Sequence, residues 1–164
     1  MKTSVVGLGA MGAGIAGNLE KAGLLHGAWN RTAANGEKAA AEFGFPFTAD
    51  LAAAVSDADV VITSVSMDGD LIEISEKLAQ LLKPGSIVVD TSTVAQATAV
   101  KAAEIFSAKQ VSFIDGPVSG GPEAGPSIKL TCLIDGPASG PPESDDGDDA
   151  GWRCRHHREN QAGH

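Results

Sequence analysis

Short apolar runs alternate with longer, alanine-rich stretches along the first 140 residues. Runs such as Val-Val-Ile at 60–62 and Ile-Val-Val at 87–89 show no polar alternation, which is typical of strands buried on both faces. The longer stretches carry apolar residues at helical spacing. This alternation predicts an α/β fold with a parallel sheet and right-handed crossovers. We predict strands at Thr3–Gly7, Leu24–Asn30, Asp59–Val65, Ser86–Asp90, Val111–Asp115 and Lys129–Asp135. We predict helices at Met11–Ala22, Ala33–Phe43, Leu51–Val55, Leu71–Leu82 and Ala95–Ser107.

Local signals mark where several of these helices begin and end. Gly23 is expected to end the first helix and Pro84-Gly85 the fourth, because glycine and proline terminate helices. Asp68 and Thr93 are candidate N-caps, since a side-chain oxygen at that position can accept a hydrogen bond from the first helical turn.

Length and charge narrow the class of protein. The chain has 164 residues, about the size of one domain. Its formal net charge of −9 gives no electrostatic reason to bind nucleic acid or an anionic membrane, so an anionic ligand has to be held locally. No run approaches the roughly 20 apolar residues of a membrane span, and glycines interrupt the N-terminal run that a signal peptide would need. Two cysteines cannot form a disulfide framework, so we expect a reducing compartment and a cytoplasmic protein.

A glycine loop follows the first predicted strand directly. It has the G-x-G-x-x-G pattern and consists of Gly7, Leu8, Gly9, Ala10, Met11 and Gly12. Gly7 permits a tight turn, Gly9 lets a pyrophosphate approach the backbone, and Gly12 lets the helix pack close to the sheet. The free N–H groups at the start of that helix would stabilise the phosphates. A glycine-rich turn without a ligand is the alternative, but the position at the first strand–helix junction favours a dinucleotide site.

The end of the second predicted strand should lie near the adenosine ribose. Asn30 follows Gly12 by 18 residues, close to the spacing of about 20 at which an acidic residue binds the ribose hydroxyls. Here the residues are Asn30, Arg31 and Thr32: a neutral amide, a planar donor fork and a hydroxyl. A charge-assisted arginine–phosphate contact contributes about 1.5–3 kcal/mol, which predicts NADP rather than NAD as the cofactor. Alternatively, Arg31 is a solvated surface residue and Thr32 the N-cap of the next helix.

Four motifs in this order resemble one family of oxidoreductases. They are the glycine loop with Asn18-Leu19 after it, Asn30-Arg31-Thr32, Asp90-Thr91-Ser92-Thr93 and Asp115-Gly116-Pro117-Val118-Ser119-Gly120-Gly121. Residues 1–136 thereby resemble the β-hydroxyacid dehydrogenase family, which includes 3-hydroxyisobutyrate dehydrogenase and 6-phosphogluconate dehydrogenase. The resemblance implies a Rossmann-type, doubly wound, mainly parallel NADP-binding domain, followed in the family by a helical C-terminal domain. It also implies reversible hydride transfer between NADP and a short hydroxyacid or semialdehyde, in proteins whose full-length forms are homo-oligomers.

The resemblance assigns further cofactor contacts. The backbone at Val65, Ser66 and Met67 is expected to pass the cofactor, although the family usually has Leu-Pro at the first two of these positions. Thr93 is expected to lie near the nicotinamide.

The resemblance also places the substrate. Ser119, Gly120 and Gly121 match the segment that binds the substrate carboxylate and hydroxyl, and glycine N–H groups can converge on an anion. An ordinary turn between two strands is the alternative. In the family a lysine on a later helix takes the hydroxyl proton, at a position that falls beyond His164. No lysine of this chain lies in that motif, so we assign no catalytic residue and expect little turnover by the chain on its own.

The composition changes sharply near residue 140. Residues 141–164 contain no Val, Ile, Leu, Met or Phe, so they can form neither a strand nor an amphipathic helix with a core-facing side. We divide the chain into an NADP-binding domain at 1–136 and a disordered tail at 137–164, which we interpret as read from a shifted frame that replaces the helical domain. The Cys154, His156, His157 and His164 side chains lack the ordered spacing of a zinc site, so we expect no metal.

Two other functions fit part of the pattern. A non-catalytic dinucleotide-binding module, acting by interaction or redox sensing, would use the same glycine loop. A Rossmann-type methyltransferase also has glycine-rich turns, but it gives no reason for Arg31 or for the Ser-Gly-Gly segment. We therefore predict the NADP-binding domain of a hydroxyacid dehydrogenase-like oxidoreductase whose partner is a small hydroxyacid or semialdehyde.

Overall fold

A computed structural model describes residues 1–119 and 131–132 of the chain. In chain order the elements are β1 (Thr3–Val6), α1 (Ala10–Lys21), β2 (Leu25–Trp29), α2 (Ala33–Phe43), α3 (Leu51–Val55), β3 (Val60–Thr63), α4 (Asp68–Leu81), β4 (Ile87–Asp90), α5 (Gln96–Ser107), β5 (Ser112–Asp115), β6 (Val118–Ser119) and β7 (Thr131–Cys132). None of these helices is long and apolar enough to cross a membrane.

Five strands form one parallel sheet in the order β2-β1-β3-β4-β5. The chain runs outward from β1 to β2 and then returns to the other side of β1 to form β3. At this reversal the loops after β1 and β3 diverge, which opens a crevice at the carboxyl ends of the strands. The predicted doubly wound, parallel α/β fold is confirmed.

Two hydrophobic cores lie on opposite faces of this sheet. Successive residues of a strand point to opposite faces, so neighbouring valines of β1 belong to different cores. Val5 packs with Ala13 and Ala16 of α1 and with residues of α2. Val6 belongs to the larger core, which contains Leu71 and Leu78 of α4 and residues of α3 and α5. This two-sided burial explains why the strand sequences are apolar without alternation.

The predicted elements are present, with ends that differ by up to three residues for the five helices and the first five strands. The largest difference is at α4, which begins at Asp68 and not at Leu71. The predicted strand at 129–135 is described only at Thr131–Cys132, where it pairs antiparallel with β6, a strand that the sequence pattern did not predict. Gly23 ends α1 with a positive φ of 69°, as expected.

Both predicted N-caps are wrong. Met67 and Ala95 occupy the N-cap positions of α4 and α5, and neither makes a side-chain capping bond. Asp68 instead accepts hydrogen bonds from the Ala95 N–H at 3.2 Å and the Thr98 hydroxyl at 2.6 Å, so it supports the start of the next helix along the chain. These bonds, that of Thr98 first, lower the pKa of Asp68.

Two glycine-to-alanine changes test this packing with opposite expected signs. A Cβ at Gly27 of β2 would overlap the carbonyl oxygen of Ala54, so Gly27→Ala should lower the free energy of unfolding by about 2 kcal/mol or more. A Cβ at Gly14 of α1 would meet no atom within 4 Å, and Gly14→Ala should raise that free energy by about 0.5–1 kcal/mol. Urea unfolding followed by circular dichroism measures both. Equal effects of the two changes would contradict the packing described here.

Candidate functional site

A cavity of about 660 Å³ lies at the carboxyl ends of β1, β2 and β3. Its walls come from the glycine loop, from the segment after β2, from the loop after β3 and from one side each of α2 and α4. Of the residues expected to bind a cofactor, ten line it: Gly7, Leu8, Gly9, Ala10, Met11, Asn30, Arg31, Thr32, Val65 and Ser66. The structure thus brings together three segments that are far apart in the sequence.

Gly7 and Gly12 are required by the fold itself. Gly7 has a φ of +96°, and a Cβ there would overlap the carbonyl oxygen of Ser64. A Cβ at Gly12 would overlap the carbonyl oxygen of Gly7. Gly12 is buried and does not line the cavity. These two glycines therefore let the start of α1 sit directly over the turn that leaves β1.

Gly9 has no such structural need. Its φ is −69°, which any residue adopts, and a Cβ there would meet no atom within 4 Å. The missing side chain leaves open space in the cavity above the start of α1. This is the feature expected where a phosphate group approaches the backbone.

The start of α1 offers hydrogen-bond donors to that space. Gly9 is the N-cap residue and has no side chain to cap the helix, and the first turn contains no acidic residue. The first N–H groups of a helix have no partner within it, and they carry the positive end of the helix dipole. The residues present therefore fit the pyrophosphate of a dinucleotide.

Asn30 positions the glycine loop. Its Oδ1 accepts a hydrogen bond from the Leu8 N–H at 2.9 Å, and its Nδ2 donates to the Thr32 carbonyl oxygen at 3.0 Å. Both ends of the amide are thus engaged by backbone. Sequence reasoning treated Asn30 only as a neutral residue near the ribose and missed this role, since the bond to Leu8 joins residues 22 apart.

Arg31 reaches across the cavity to α4. Its Nη1 lies 2.7 Å from Oδ1 of Asp70, a residue that no sequence motif had indicated. Glu73 and Lys77, one turn apart on α4, also line the cavity and form an ion pair of 2.6 Å that lowers the pKa of Glu73. Thr32 occupies the N-cap position of α2, but its hydroxyl makes no capping bond.

A buried carboxylate ties two loops of the site together. Oδ1 of Asp90, a fully buried residue at the end of β4, accepts hydrogen bonds from the hydroxyls of Thr63 at 2.8 Å and Ser92 at 2.7 Å. The Ser92 Oγ in turn accepts the Val65 N–H at 2.9 Å. Oδ2 of Asp90 is buried and has no hydrogen-bond partner among the described residues. Burial raises the pKa of Asp90 against the opposing effect of these hydrogen bonds.

The remaining expected site residues lie elsewhere or are only partly described. Met67 is 68% exposed, Thr93 is exposed in the loop before α5, and neither lines the cavity. Ser119 ends β6 and pairs with Thr131, while Gly120 and Gly121 lie outside the described residues. Within residues 1–119 and 131–132 no group of three His, Cys, Asp or Glu side chains is arranged to hold a metal ion. The tail residues considered for zinc lie outside this part. The assignments of the nicotinamide contact, the substrate segment and the disordered tail therefore stay predictions.

A parallel sheet with a glycine loop and a cavity at its reversal point defines a dinucleotide-binding fold of the Rossmann type. Residues 2–142 match the family described as the NAD binding domain of 6-phosphogluconate dehydrogenase, and the chain belongs to this family. The resemblance seen in the sequence motifs is thereby confirmed.

Several known proteins are similar to this chain over about 135 residues, and each of them is longer than the chain. The chain is 34% identical over 135 residues to the cytokine-like nuclear factor N-PAC of Mus musculus, covering 80% of this chain and 23% of that protein. It is 29% identical over 136 residues to 2-(hydroxymethyl)glutarate dehydrogenase of Eubacterium barkeri, covering 81% and 45%. The solved structure of Mycobacterium tuberculosis 3-hydroxyisobutyrate dehydrogenase with L-serine is 26% identical, with a TM-score of 0.77 and coverage of 84% and 47%. The chain spans about half the length of these two dehydrogenases.

Gly9→Ala separates ligand binding from folding. The added methyl group meets no protein atom, so the circular dichroism spectrum of the variant should match that of the wild type. The same methyl group occupies space that a pyrophosphate would need, so titrations should show binding of NADH and NADPH weakened by about tenfold or more. Gly14→Ala, which adds a methyl group on the same helix away from the cavity, is the control. Unchanged affinities would place the phosphates elsewhere.

Asp90→Asn tests the buried carboxylate through the pH dependence of stability. A raised native pKa means that the folded protein binds this proton more tightly than the unfolded chain, whose pKa is about 3.9. Its contribution to stability is therefore fully present at low pH and is lost as pH rises through the native pKa. The free energy of unfolding of the wild type minus that of the variant should fall as pH rises above about 4. Contributions of other carboxylates cancel because both proteins contain them, and a difference that increases with pH would contradict this account.

Proposed function

We propose that this chain is the NADP-binding domain of a hydroxyacid dehydrogenase-like oxidoreductase. One observation carries the choice of cofactor: Arg31 lies in the same cavity that Gly9 keeps open. The glycine loop accounts for the pyrophosphate, and the guanidinium accounts for a 2′-phosphate on the adenosine ribose. The family match supports a nicotinamide dinucleotide of either type, and Arg31 supports the phosphorylated one.

The residues around the cavity divide the work of binding. The first N–H groups of α1 would hold the pyrophosphate, and the Arg31 guanidinium would pair with the 2′-phosphate. Asn30 keeps the glycine loop in place and brings no negative charge to the ribose, so it does not repel that phosphate. The hydroxyl of Thr32, which makes no capping bond, is free to donate to the same phosphate.

The reacting end of the cofactor depends on the loops after β3 and β4. When bound, the nicotinamide supplies the site that accepts or gives a hydride. Asp90 and Ser92 hold the backbone at Val65 against the end of β4, and this backbone would support the ring. Thr93 and the segment Ser119, Gly120 and Gly121 are proposed, through the resemblance, to contact the nicotinamide and the substrate.

Proton transfer is assigned to none of the described residues. The lysines that line the cavity are Lys38 of α2 and Lys77 of α4, and Lys77 is paired with Glu73. We propose that the described residues bind the dinucleotide and that the group which takes the proton, in the family a lysine of a helical domain, lies outside them.

A short hydroxyacid or the matching semialdehyde is the proposed substrate class. The names of two relatives, 2-(hydroxymethyl)glutarate dehydrogenase and 3-hydroxyisobutyrate dehydrogenase, both describe hydroxyacids. A cytoplasmic location and a homo-oligomeric full-length form stay predictions.

A second candidate is a non-catalytic dinucleotide-binding module that acts by interaction. It is favoured by the similarity to N-PAC, whose name describes a nuclear factor and not a dehydrogenase. Reduction of NADP by 3-hydroxyisobutyrate, followed by the absorbance of NADPH, separates the two when the chain is joined to the helical domain of a family member. Nucleotide binding without any turnover in that fusion would favour the module.

Paired titrations of Arg31→Ala and Asn30→Ala test the proposed cofactor. Arg31→Ala should weaken NADPH binding by about 10- to 150-fold and leave NADH binding nearly unchanged, because only NADPH carries the 2′-phosphate. Asn30→Ala removes the bond to the Leu8 N–H and should weaken both nucleotides by a similar factor, about tenfold. Nicotinamide fluorescence reports both affinities. An equal loss of NADH and NADPH affinity in Arg31→Ala would rule out the phosphate contact.

A further inference from the structure

The Arg31–Asp70 ion pair spans the cavity at the place where the ribose phosphate is proposed to bind. Arg31 follows β2 on one wall, and Asp70 lies in the first turn of α4 on the other. Their 2.7 Å contact joins residues 39 apart in the chain. The pair therefore occupies the space between the two walls and engages the one guanidinium that faces this space among the described residues.

The two partners differ in how firmly they are held. The Asp70 side chain is 24% exposed, whereas that of Arg31 is 65% exposed. The carboxylate thus sits on a packed helix, and the long arginine side chain extends to meet it. A first-turn position on α4 also places the negative charge of Asp70 at the positive end of that helix. Of the two, Arg31 is the side chain that can change partner.

Among the charged groups that line the cavity, Asp70 is the one that makes an ion pair with Arg31. Glu73 lies close enough to Arg31 to feel its charge, but its carboxylate makes its ion pair of 2.6 Å with Lys77. Glu42, on α2, lines the opposite side and makes no ion pair with Arg31, while Lys38 on the same helix is itself a cation. A 2′-phosphate that approaches Arg31 therefore meets one carboxylate already bound to the same guanidinium.

We propose that Asp70 sets the coenzyme preference of this cavity by competing with the 2′-phosphate for Arg31. The proposal rests on the NADP assignment and deepens it. NADH leaves the Arg31–Asp70 pair intact, whereas NADPH has to displace Asp70 or share the guanidinium with it. The preference for NADPH is therefore smaller than Arg31 alone would give, and Asp70 is a specificity-determining residue that acts through Arg31.

Asp70→Asn tests this competition in the full chain. The amide keeps the shape of the side chain and removes the charge, so the ratio of NADPH affinity to NADH affinity should rise by about two- to fivefold, the range expected for an exposed ion pair. Glu76→Gln is the matched control, because it removes one negative charge from an exposed position of α4 that does not line the cavity. The control ratio should stay at the wild-type value. Circular dichroism checks that both variants fold.

The same change in an Arg31→Ala background identifies the route. If Asp70 acts by occupying Arg31, Asp70→Asn should leave the ratio unchanged once the guanidinium is gone. The same rise in both backgrounds would overturn the proposal, because Asp70 would then repel the phosphate directly. The proposal would also be overturned if Asp70→Asn left the ratio of NADPH affinity to NADH affinity at the wild-type value. If Arg31→Ala still lowered NADPH affinity more than NADH affinity, the NADP assignment would stand. Arg31→Ala without selectivity would remove the NADP assignment and this proposal together.

Discussion

The contact between the start of α1 and the turn after β1 is the constraint on which the rest of the site depends. The Gly12 Cα sits against the Gly7 carbonyl, and Gly7 sits against the carbonyl of Ser64 after β3. A side chain at Gly12 would push α1 away from this turn, and a side chain at Gly7 would push the turn away from the segment after β3. Because neither position carries a side chain, the first N–H groups of α1 can face the space between β1 and β3, where the order of the strands reverses. The fold thus uses two glycines to build the site and a third, Gly9, to leave it open.

Features that depend on local sequence were predictable. The glycine loop, the apolar strands and the positions of the five helices follow from spacing and composition within short windows, and the structure places them within a few residues. Arg31 could be placed near the cavity because the end of β2 and the glycine loop have a fixed relationship in this topology. The number of residues between Gly12 and Arg31 was enough to predict this position.

Features that depend on pairing between distant segments were not predictable from the sequence. Asp68 has the composition of an N-cap for its own helix, yet its carboxylate binds Ala95 and Thr98 of the next helix. Asp70 lay in a predicted loop, because the apolar pattern of α4 begins only at Leu71. No sequence pattern therefore indicated its contact with Arg31. The bonds of Asn30 to Leu8 and of Ser92 to Val65 likewise join chain segments whose distance is set by the sheet and not by the sequence.

Charged groups are arranged differently at the amino and carboxyl ends of the parallel strands, and this difference favours ligand binding at the carboxyl ends. At the amino edge, Lys2 and Lys83 surround Asp57 and Asp59, and hydrogen bonds from both lysines lower the pKa of Asp57 to about 2. These exposed charges pair with one another, and no cavity residue is among them. At the carboxyl ends of the strands, the first N–H groups of α1 have no protein side chain to cap them, and Arg31 pairs with the Asp70 carboxylate. A chain with a net charge of −9 needs local donors to bind an anion, and within the described residues the uncapped start of α1 and Arg31 supply such donors at the same cavity.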